Sequence, residues 1–332
     1  MTVLHRVDLR QIDDVGHARR CAAQHAQGLG FSATELGRIA ICVTEASTNT
    51  VQHGHGGELL LSSGNHGRPS LTMLALDRGP GMANVAQSMR DGHSSRGTSG
   101  NGLGAISRLS DTFDIFSAAG RGAAVLMQFW PGGRPPARSG MQFGGVSVPV
   151  QGEELCGDGW SAVERDDRAV VLVSDGLGHG PFAHEASATA VEAFERSAAM
   201  APAEIVDTIN GGLKSTRGAA AAVTEILYKH RTVRFCGVGN VSGAVVSNGR
   251  QRHMVSHHGT LGHDVRKLQE FQYPWSGDSL LILTTDGIQT RWDLDAYPGL
   301  SQRHPALIAG VLYRDFQRER DDSTVVVARE IA

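Results

Sequence analysis

A chain of 332 residues holds 42 glycines, about 13% against a usual share near 7%; they fall in short clusters with no G-X-Y period, so collagen and low-complexity disorder are excluded. The 31 basic residues face 34 acidic ones, for a formal charge of -3. No basic excess exists to neutralise a phosphate backbone, and nucleic acid is excluded as the main partner.

The four cysteines, Cys21, Cys42, Cys156 and Cys236, stand singly, with no CxxC pair and no zinc spacing, which reads as reduced thiols, most of them small core residues. The amino terminus, MTVLHRVDLRQIDD, lacks the apolar run of a signal peptide, and no stretch approaches the roughly 18 apolar residues of a membrane span. A soluble, cytoplasmic protein without membrane contact is expected. Ser32 followed by Glu35 is a capping-box signature, so a helix is predicted over Ala33–His53 with Leu36, Ile39, Ala40 and Val43 as its buried stripe. Strands are predicted at Leu59–Ser63, Leu71–Asp77 and Ala123–Trp130, with the Gly/Ser-rich RDGHSSRGTSGNGLG as a long loop between the last two. PGGRPPARSG, Pro131 to Gly140, then reads as a linker, giving domains 1–131 and 141–332 joined by 132–140. After it come predicted strands at Ala169–Ser174, Ala221–Tyr228, Thr232–Val238, Val241–Ser247, Ser279–Thr285 and Thr324–Arg329. Helices are predicted at His184–Ser197, Ala203–Leu213 and His304–Phe316, packed outside a mainly antiparallel sheet layer.

On the capped helix, Glu45 and Asn49 are four residues apart and share a face. Asp77, Gly79 and Gly81 form DRGPG straight after a strand, and Gly100, Gly102 and Gly104 form GNGLG before the helix-like AISRLSD. A strand-end Asp can accept a hydrogen bond from an exocyclic amine, and glycines let backbone approach a flat ring. Backbone N–H groups at a helix start face phosphate oxygens, and an Asn oxygen is a hard ligand suited to magnesium.

In this order, within about sixty residues, these motifs resemble the GHKL ATP-binding family, in particular its small anti-sigma and switch-protein serine kinases of the RsbW and RsbT type, over roughly Asp8 to Trp130. The resemblance implies a GHKL (Bergerat) α/β sandwich that binds ATP and Mg2+. It implies that TEASTNTVQHG is the N-box, with Glu45 as general base for a serine hydroxyl and Asn49 carrying magnesium. It further implies Asp77 as adenine reader, Gly79, Gly81, Met82, Gly100, Gly102, Leu103 and Gly104 as ATP-pocket residues, and Arg90 to Gly100 as a mobile lid. His53 and His55, in VQHGHGG, read as a polar helix end and not as a metal site.

The second half sets carboxylates beside glycines at strand ends: Asp158 in CGDGW, Asp175 in VSDGLGHG, Asp286 in TTDGI, and Asp321 with Asp322 in RDDST. Such a set chooses magnesium or manganese over zinc. Two such ions can acidify a bridging water for in-line hydrolysis of a phosphate ester. With SDGLGHG, RGAAAAVTEI and FCGVGNVSGAVV in order, the stretch from Met141 to Arg329 resembles the SpoIIE-like branch of the metal-dependent PPM (type 2C-like) phosphatases, most of all the short RsbX type. That resemblance implies an αββα sandwich, making the whole a two-domain α+β protein. It implies a Mn2+ or Mg2+ centre in which Asp175 bridges two ions, Asp158 completes one, Asp286 and Asp321 complete the other, and the Gly176 carbonyl assists. Asp322 stays open beside Asp321. CGDGW departs from larger members, which place a second Asp where Trp160 stands here. His179 either orients substrate or water or holds its own loop, and His257 and His258 receive no role.

Together the two resemblances imply a bifunctional serine/threonine kinase and phosphoserine/phosphothreonine phosphatase acting on a STAS-domain switch protein. That target is an anti-sigma-factor antagonist or a stressosome component, with a downstream regulator as a further partner of the kinase domain. The alternative is an ATP-binding module that sequesters or activates a partner, fused to a phosphatase and without significant kinase activity.

Overall fold

The computed structural model describes residues 3–64, 69–89, 102–133, 135, 140–265 and 267–331. The chain divides into two compact units, one of residues 2–137 with 302–314, the other of residues 138–301 with 315–332. Among the described residues no helix is long and apolar enough to cross a membrane.

The amino-terminal unit runs β1 (Val3–Leu9), α1 (Ile12–Gly28), α2 (Ala33–Gln52), β2 (Gly57–Gly64), β3 (Ser70–Asp77), α3 (Val85–Ser88), α4 (Gly102–Leu109), β4 (Thr112–Ser117) and β5 (Ala123–Phe129). Its five strands form one antiparallel sheet in the order β1-β2-β3-β5-β4. Helix α2 begins where the sequence predicts: the Ser32 hydroxyl accepts from the Glu35 N–H, and the Glu35 carboxylate accepts from the Ser32 N–H at 2.7 Å. Its buried stripe is Ile39, Cys42, Val43, Ala46 and Thr50, while Leu36 and Ala40 are half-buried. The stripe is turned from the predicted one because α2 packs against α1 and α4 as well as the sheet. Helix α1 meets this core through Ala18, Ala22 and Ala26, all fully buried.

Alternation along the strands sends Leu59, Leu61, Leu71, Met73, Ala75, Val125 and Met127 towards these helices. Leu60, Leu74, Leu76, Ala124 and Leu126 point to the opposite face and are buried too. Residues 302–314, from far along the chain, belong to this unit and pack on that side at Leu74 and Leu76. They include most of α7 (Pro305–Phe316), which the sequence reading grouped with the second half. A Cβ added to Gly310 would stand 3.3 Å from the Leu74 and Leu76 side chains. The α7 end of this unit is pinned by Arg314, 2% exposed, whose guanidinium donates to the carbonyls of Asp77 at 2.8 Å and Ala123 at 3.2 Å. Arg78 in turn donates to the Arg314 carbonyl. At the other end the Asp114 carboxylate accepts from the His304 N–H at 2.7 Å, which satisfies a helix-start donor.

The other unit runs β6 (Met141–Val148), β7 (Asp158–Glu164), β8 (Arg168–Gly176), α5 (Pro181–Ser197), α6 (Pro202–Gly212), β9 (Ala219–Leu227), β10 (Thr232–Val238), β11 (Ser242–Ser247), β12 (Arg250–His253), β13 (Gly259–Thr260), β14 (Asp264–Val265), β15 (Phe271–Pro274), β16 (Leu280–Thr284) and β17 (Ser323–Glu330). Two five-stranded antiparallel sheets, β15-β10-β9-β8-β7 and β12-β11-β16-β17-β6, form its frame. Their inner faces close one core through Val171, Val173, Phe235, Leu281, Leu283 and Val326, and α5 and α6 close another against the outer face of the first sheet. The fully buried Glu225 of β9 is held by Arg168 and Arg234 on the two neighbouring strands, as a buried carboxylate requires. The RGAAAAVTEI stretch therefore contributes a structural ion pair.

Candidate functional site

Antiparallel pairing decides where the aspartates of the second unit stand. Asp158 opens β7 and Asp175 lies near the end of β8, and the two are Cα partners in the register. Asp286 follows β16 and Asp321 precedes β17, its antiparallel neighbour. Asp175, Asp286 and Asp321 line one cavity of about 500 Å³, together with Asn240, His258 and Thr260. Asp286 and Asp321 meet through a side-chain hydrogen bond on this cavity's wall, with Asp175 lining it as well.

Electrostatics at this end is strained in one direction. Burial, then the charges of Asp286, Asp321 and Asp322, pushes the Asp175 carboxyl up to about 8. Burial and the adjacent Asp175 hold Asp158 well above the usual carboxylate range, and burial followed by Asp286 raises Asp321. The Asp175 Oδ2 atom is buried without a hydrogen-bond partner. Acidic oxygens of this kind, with an orphaned acceptor among them, fit hard divalent cations such as Mg2+ or Mn2+.

The remaining members of the predicted set divide by what their oxygens touch. Asp158 is 3% exposed, does not line the cavity, and accepts from the Thr285 hydroxyl at 2.7 Å. Thr285 also takes the Thr324 N–H, tying the cavity end of β16 to β17. Both oxygens of Asp322 are engaged, one by the Val150 N–H at 2.7 Å and one by the Gly157 N–H at 2.8 Å. Asp322 thus fixes the 150–157 segment while its neighbour Asp321 faces the cavity. Gly176 must be glycine, because a Cβ there would lie 2.1 Å from the Ala183 carbonyl oxygen. Trp160 is core: its ring packs where a Cβ on Gly145 would meet it at 2.6 Å. His179 is exposed and pairs with Glu153 at 2.7 Å. Sequence reasoning passed over Asn240, whose amide donates to Asp286 at 2.5 Å; it sits in FCGVGNVSGAVV, so the signal was present in a quoted motif. His258, which sequence reading assigned nothing, lines the cavity.

In the amino-terminal unit, α2 presents Glu45 and Asn49, both half-buried, one turn apart. The start of α4 comes directly against them: a Cβ on Gly102 would stand 2.7 Å from Glu45 Oε2 and 3.5 Å from Asn49 Nδ2. The E-x-x-x-N pair and Gly102 of the second glycine motif therefore lie side by side. Asp77, 9% exposed, accepts through Oδ1 from the Gly79 N–H at 2.9 Å and the Ala123 N–H at 3.1 Å. Burial is the largest influence on its carboxyl and raises it. Gly54, at the end of α2, packs on the Asp77 side chain so closely that a Cβ would fall 2.5 Å from it, which brings Asp77 to the same helix. Gly79 and Gly81 answer to backbone packing, against Gly54 and the Ala118 carbonyl. The Met82 N–H donates to Ser117, and Leu103 and Met82 pack on the core while Gly104 is buried. Gly100 and the remainder of the Arg90 to Gly100 lid lie outside the described residues. His53 caps α2 and His55 is exposed with φ 59.

Comparison with known proteins finds two families along the chain. Residues 10–129 match the histidine kinase-like ATPase domain family, and residues 165–330, half of the chain, match the stage II sporulation protein E (SpoIIE) family. The phosphoserine phosphatase RsbX of Bacillus subtilis is 30% identical over 139 residues, 42% of this chain and 70% of that protein. The serine/threonine-protein kinase RsbT of the same organism is 30% identical over 118 residues, 35% of this chain and 89% of that protein. A crystal structure of RsbX in complex with magnesium shares the fold, with a TM-score of 0.51 at 23% identity over 60% of this chain and 99% of that one. The chain therefore belongs to the SpoIIE family of PPM phosphatases and carries a GHKL-type, histidine kinase-like ATPase domain ahead of its phosphatase domain.

Proposed function

We propose that the protein both phosphorylates and dephosphorylates a serine or threonine of one STAS-domain switch protein, an anti-sigma-factor antagonist or a stressosome component. The observation that carries the kinase half is the position of Glu45 Oε2 against Gly102 at the start of α4. A helix start is where backbone N–H groups receive phosphate oxygens, so a serine hydroxyl brought to that phosphate lies within reach of the Glu45 carboxylate. Glu45 takes the hydroxyl proton as the serine oxygen attacks the γ-phosphorus, and ADP departs. Asn49 would hold Mg2+, and Asp77, with Oδ1 engaged by two backbone N–H groups, would offer its other oxygen to the adenine amine.

In the phosphatase half, Asp175, Asp286 and Asp321 are the residues that would hold Mg2+ or Mn2+, with Asp158 behind them and the Gly176 carbonyl alongside. The bound ions supply Lewis acidity towards the phosphate and a water acidic enough to be a nucleophile at neutral pH. Asn240 orients Asp286 and Thr285 orients Asp158, while Asp322 keeps the 150–157 segment in place. Phosphoserine carries about -1.5 to -2 charges, enough at a contact surface to release one partner and admit another.

The test is transfer of radiolabel from ATP to a purified STAS protein by the full-length Asp175→Asn variant, in which the phosphatase cannot erase the product. Accumulated phosphoserine is the expected result. No label on any STAS partner, with ATP binding intact, would reduce the amino-terminal domain to a nucleotide-dependent binding module.

A further inference from the structure

Away from both sites, α1 and β1 bring three ligand-type side chains together. His17 and Cys21 are one turn apart on α1, and His5 lies on β1 on the strand face shared by Val7 and Leu9, which pack towards the helices. One ligand atom from each of His5, His17 and Cys21 lies within 4.8 Å of the other two. Cys21 Sγ is 3.6 Å from His17 Nε2 and 3.8 Å from its Nδ1. Because both ring nitrogens are nearly equidistant from it, the sulfur lies against the ring and off either lone-pair axis, and a turn of the exposed His17 side chain brings one nitrogen to face it across an ion. His25 continues the same helix face, and its ring centroid is 5.7 Å from that of His5.

We propose that His5, His17 and Cys21 form a binding site for a borderline divalent transition metal of the zinc class, with the fourth position left to solvent beside His25. Imidazole and thiolate donors select such an ion over the hard cations suited to the carboxylate cavity. His5 and His17 are exposed and Cys21 is half-buried, so the ion can enter from solvent. Burial raises the Cys21 thiol and disfavours the charged His25 ring; the Cys21 proton leaves to solvent as the ion binds. The occupied site joins β1, an edge strand of the sheet, to α1, so metal should stabilise the folded chain. A sequence search for paired cysteines misses it because the ligands are split between a strand and an H-x3-C helix spacing.

The test uses full-length, reduced, chelator-treated protein and Co2+ as probe, read by the cobalt–thiolate charge-transfer absorption, which oxygen-ligated Co2+ in the carboxylate cavity does not give. The expected result is a band that saturates at one ion per chain and is displaced by Zn2+. It disappears in Cys21→Ser, needs about tenfold or more Co2+ in His17→Ala and in His5→Ala, and persists in Cys156→Ser. Absence of the band in the wild type, its survival in Cys21→Ser, or its loss in Cys156→Ser would overturn the assignment. A Zn2+-dependent rise in melting temperature should accompany the band in the wild type and vanish in Cys21→Ser; an equal rise in both would assign the stabilisation elsewhere.

Discussion

Asp321 and Asp322 are adjacent and chemically identical, yet the fold gives them different work. Two backbone N–H groups, from Val150 and Gly157, take both oxygens of Asp322, whereas Asp321 lines the cavity beside Asp286. Asp322→Ala should therefore destabilise the phosphatase unit by about 1–3 kcal/mol through its stranded donors, read by chemical denaturation. Asp321→Asn should keep the fold and weaken Mn2+ or Mg2+ binding in a calorimetric titration. The sequence showed that carboxylates cluster in RDDST, but their division depends on backbone donors more than 160 positions away, which no local pattern encodes. Asp175 adds a pH dependence. Its carboxyl rises from 3.8 to about 8 in the folded protein, so the unfolded chain ionises it first. The resulting loss of stability is absent below 3.8, grows as pH rises, and levels off above about 8. Melting temperature of metal-free protein should fall across that window, and the gain on adding Mg2+ or Mn2+ should be larger near pH 8 than near about pH 5, because binding releases the proton. A metal-induced gain that does not change with pH would remove Asp175 from the ion's ligands.

At the scale of elements, the long periodic helix and the apolar strands were legible, and the quieter ones were not. Helix α2 announces itself by Ser32, Glu35 and a branched aliphatic stripe, while α1 buries alanines, which carry little hydrophobic contrast. Helix α7 was visible as a helix, but its packing on Leu74 and Leu76 follows from tertiary placement alone. Full burial of a leucine contributes about 1.5–3 kcal/mol, so the packing of residues 302–314 on Leu74 and Leu76 makes them integral to the amino-terminal unit. Gly310→Leu, which would press on Leu74 and Leu76, should cost about 1–3 kcal/mol by overpacking. Arg314→Ala would leave the Asp77 and Ala123 carbonyls without this donor and should lower melting temperature and, if Asp77 reads adenine as proposed, ATP affinity with it. Unchanged affinity and melting temperature would mean that Arg314 does not support that turn.

Across the whole molecule, one chain holds a carboxylate–amide pair against a glycine-started helix and a ring of aspartates around a cavity. A covalent tether raises the effective concentration of each domain at a shared target, so under the proposed function the two together would set a steady level of phosphorylation. Glu45→Ala should retain ATP binding and lower phosphotransfer by about 10²- to 10⁴-fold, the range for loss of a general base. The most direct measurement is site-resolved mass spectrometry of a STAS partner, first incubated with ATP and the full-length Asp175→Asn variant, then transferred to the full-length Glu45→Ala variant with Mn2+. The predicted result is one phosphoserine or phosphothreonine, placed by the first variant and removed from the same position by the second. Phosphate that the second variant leaves untouched, or removes only from a different residue, would contradict a shared substrate.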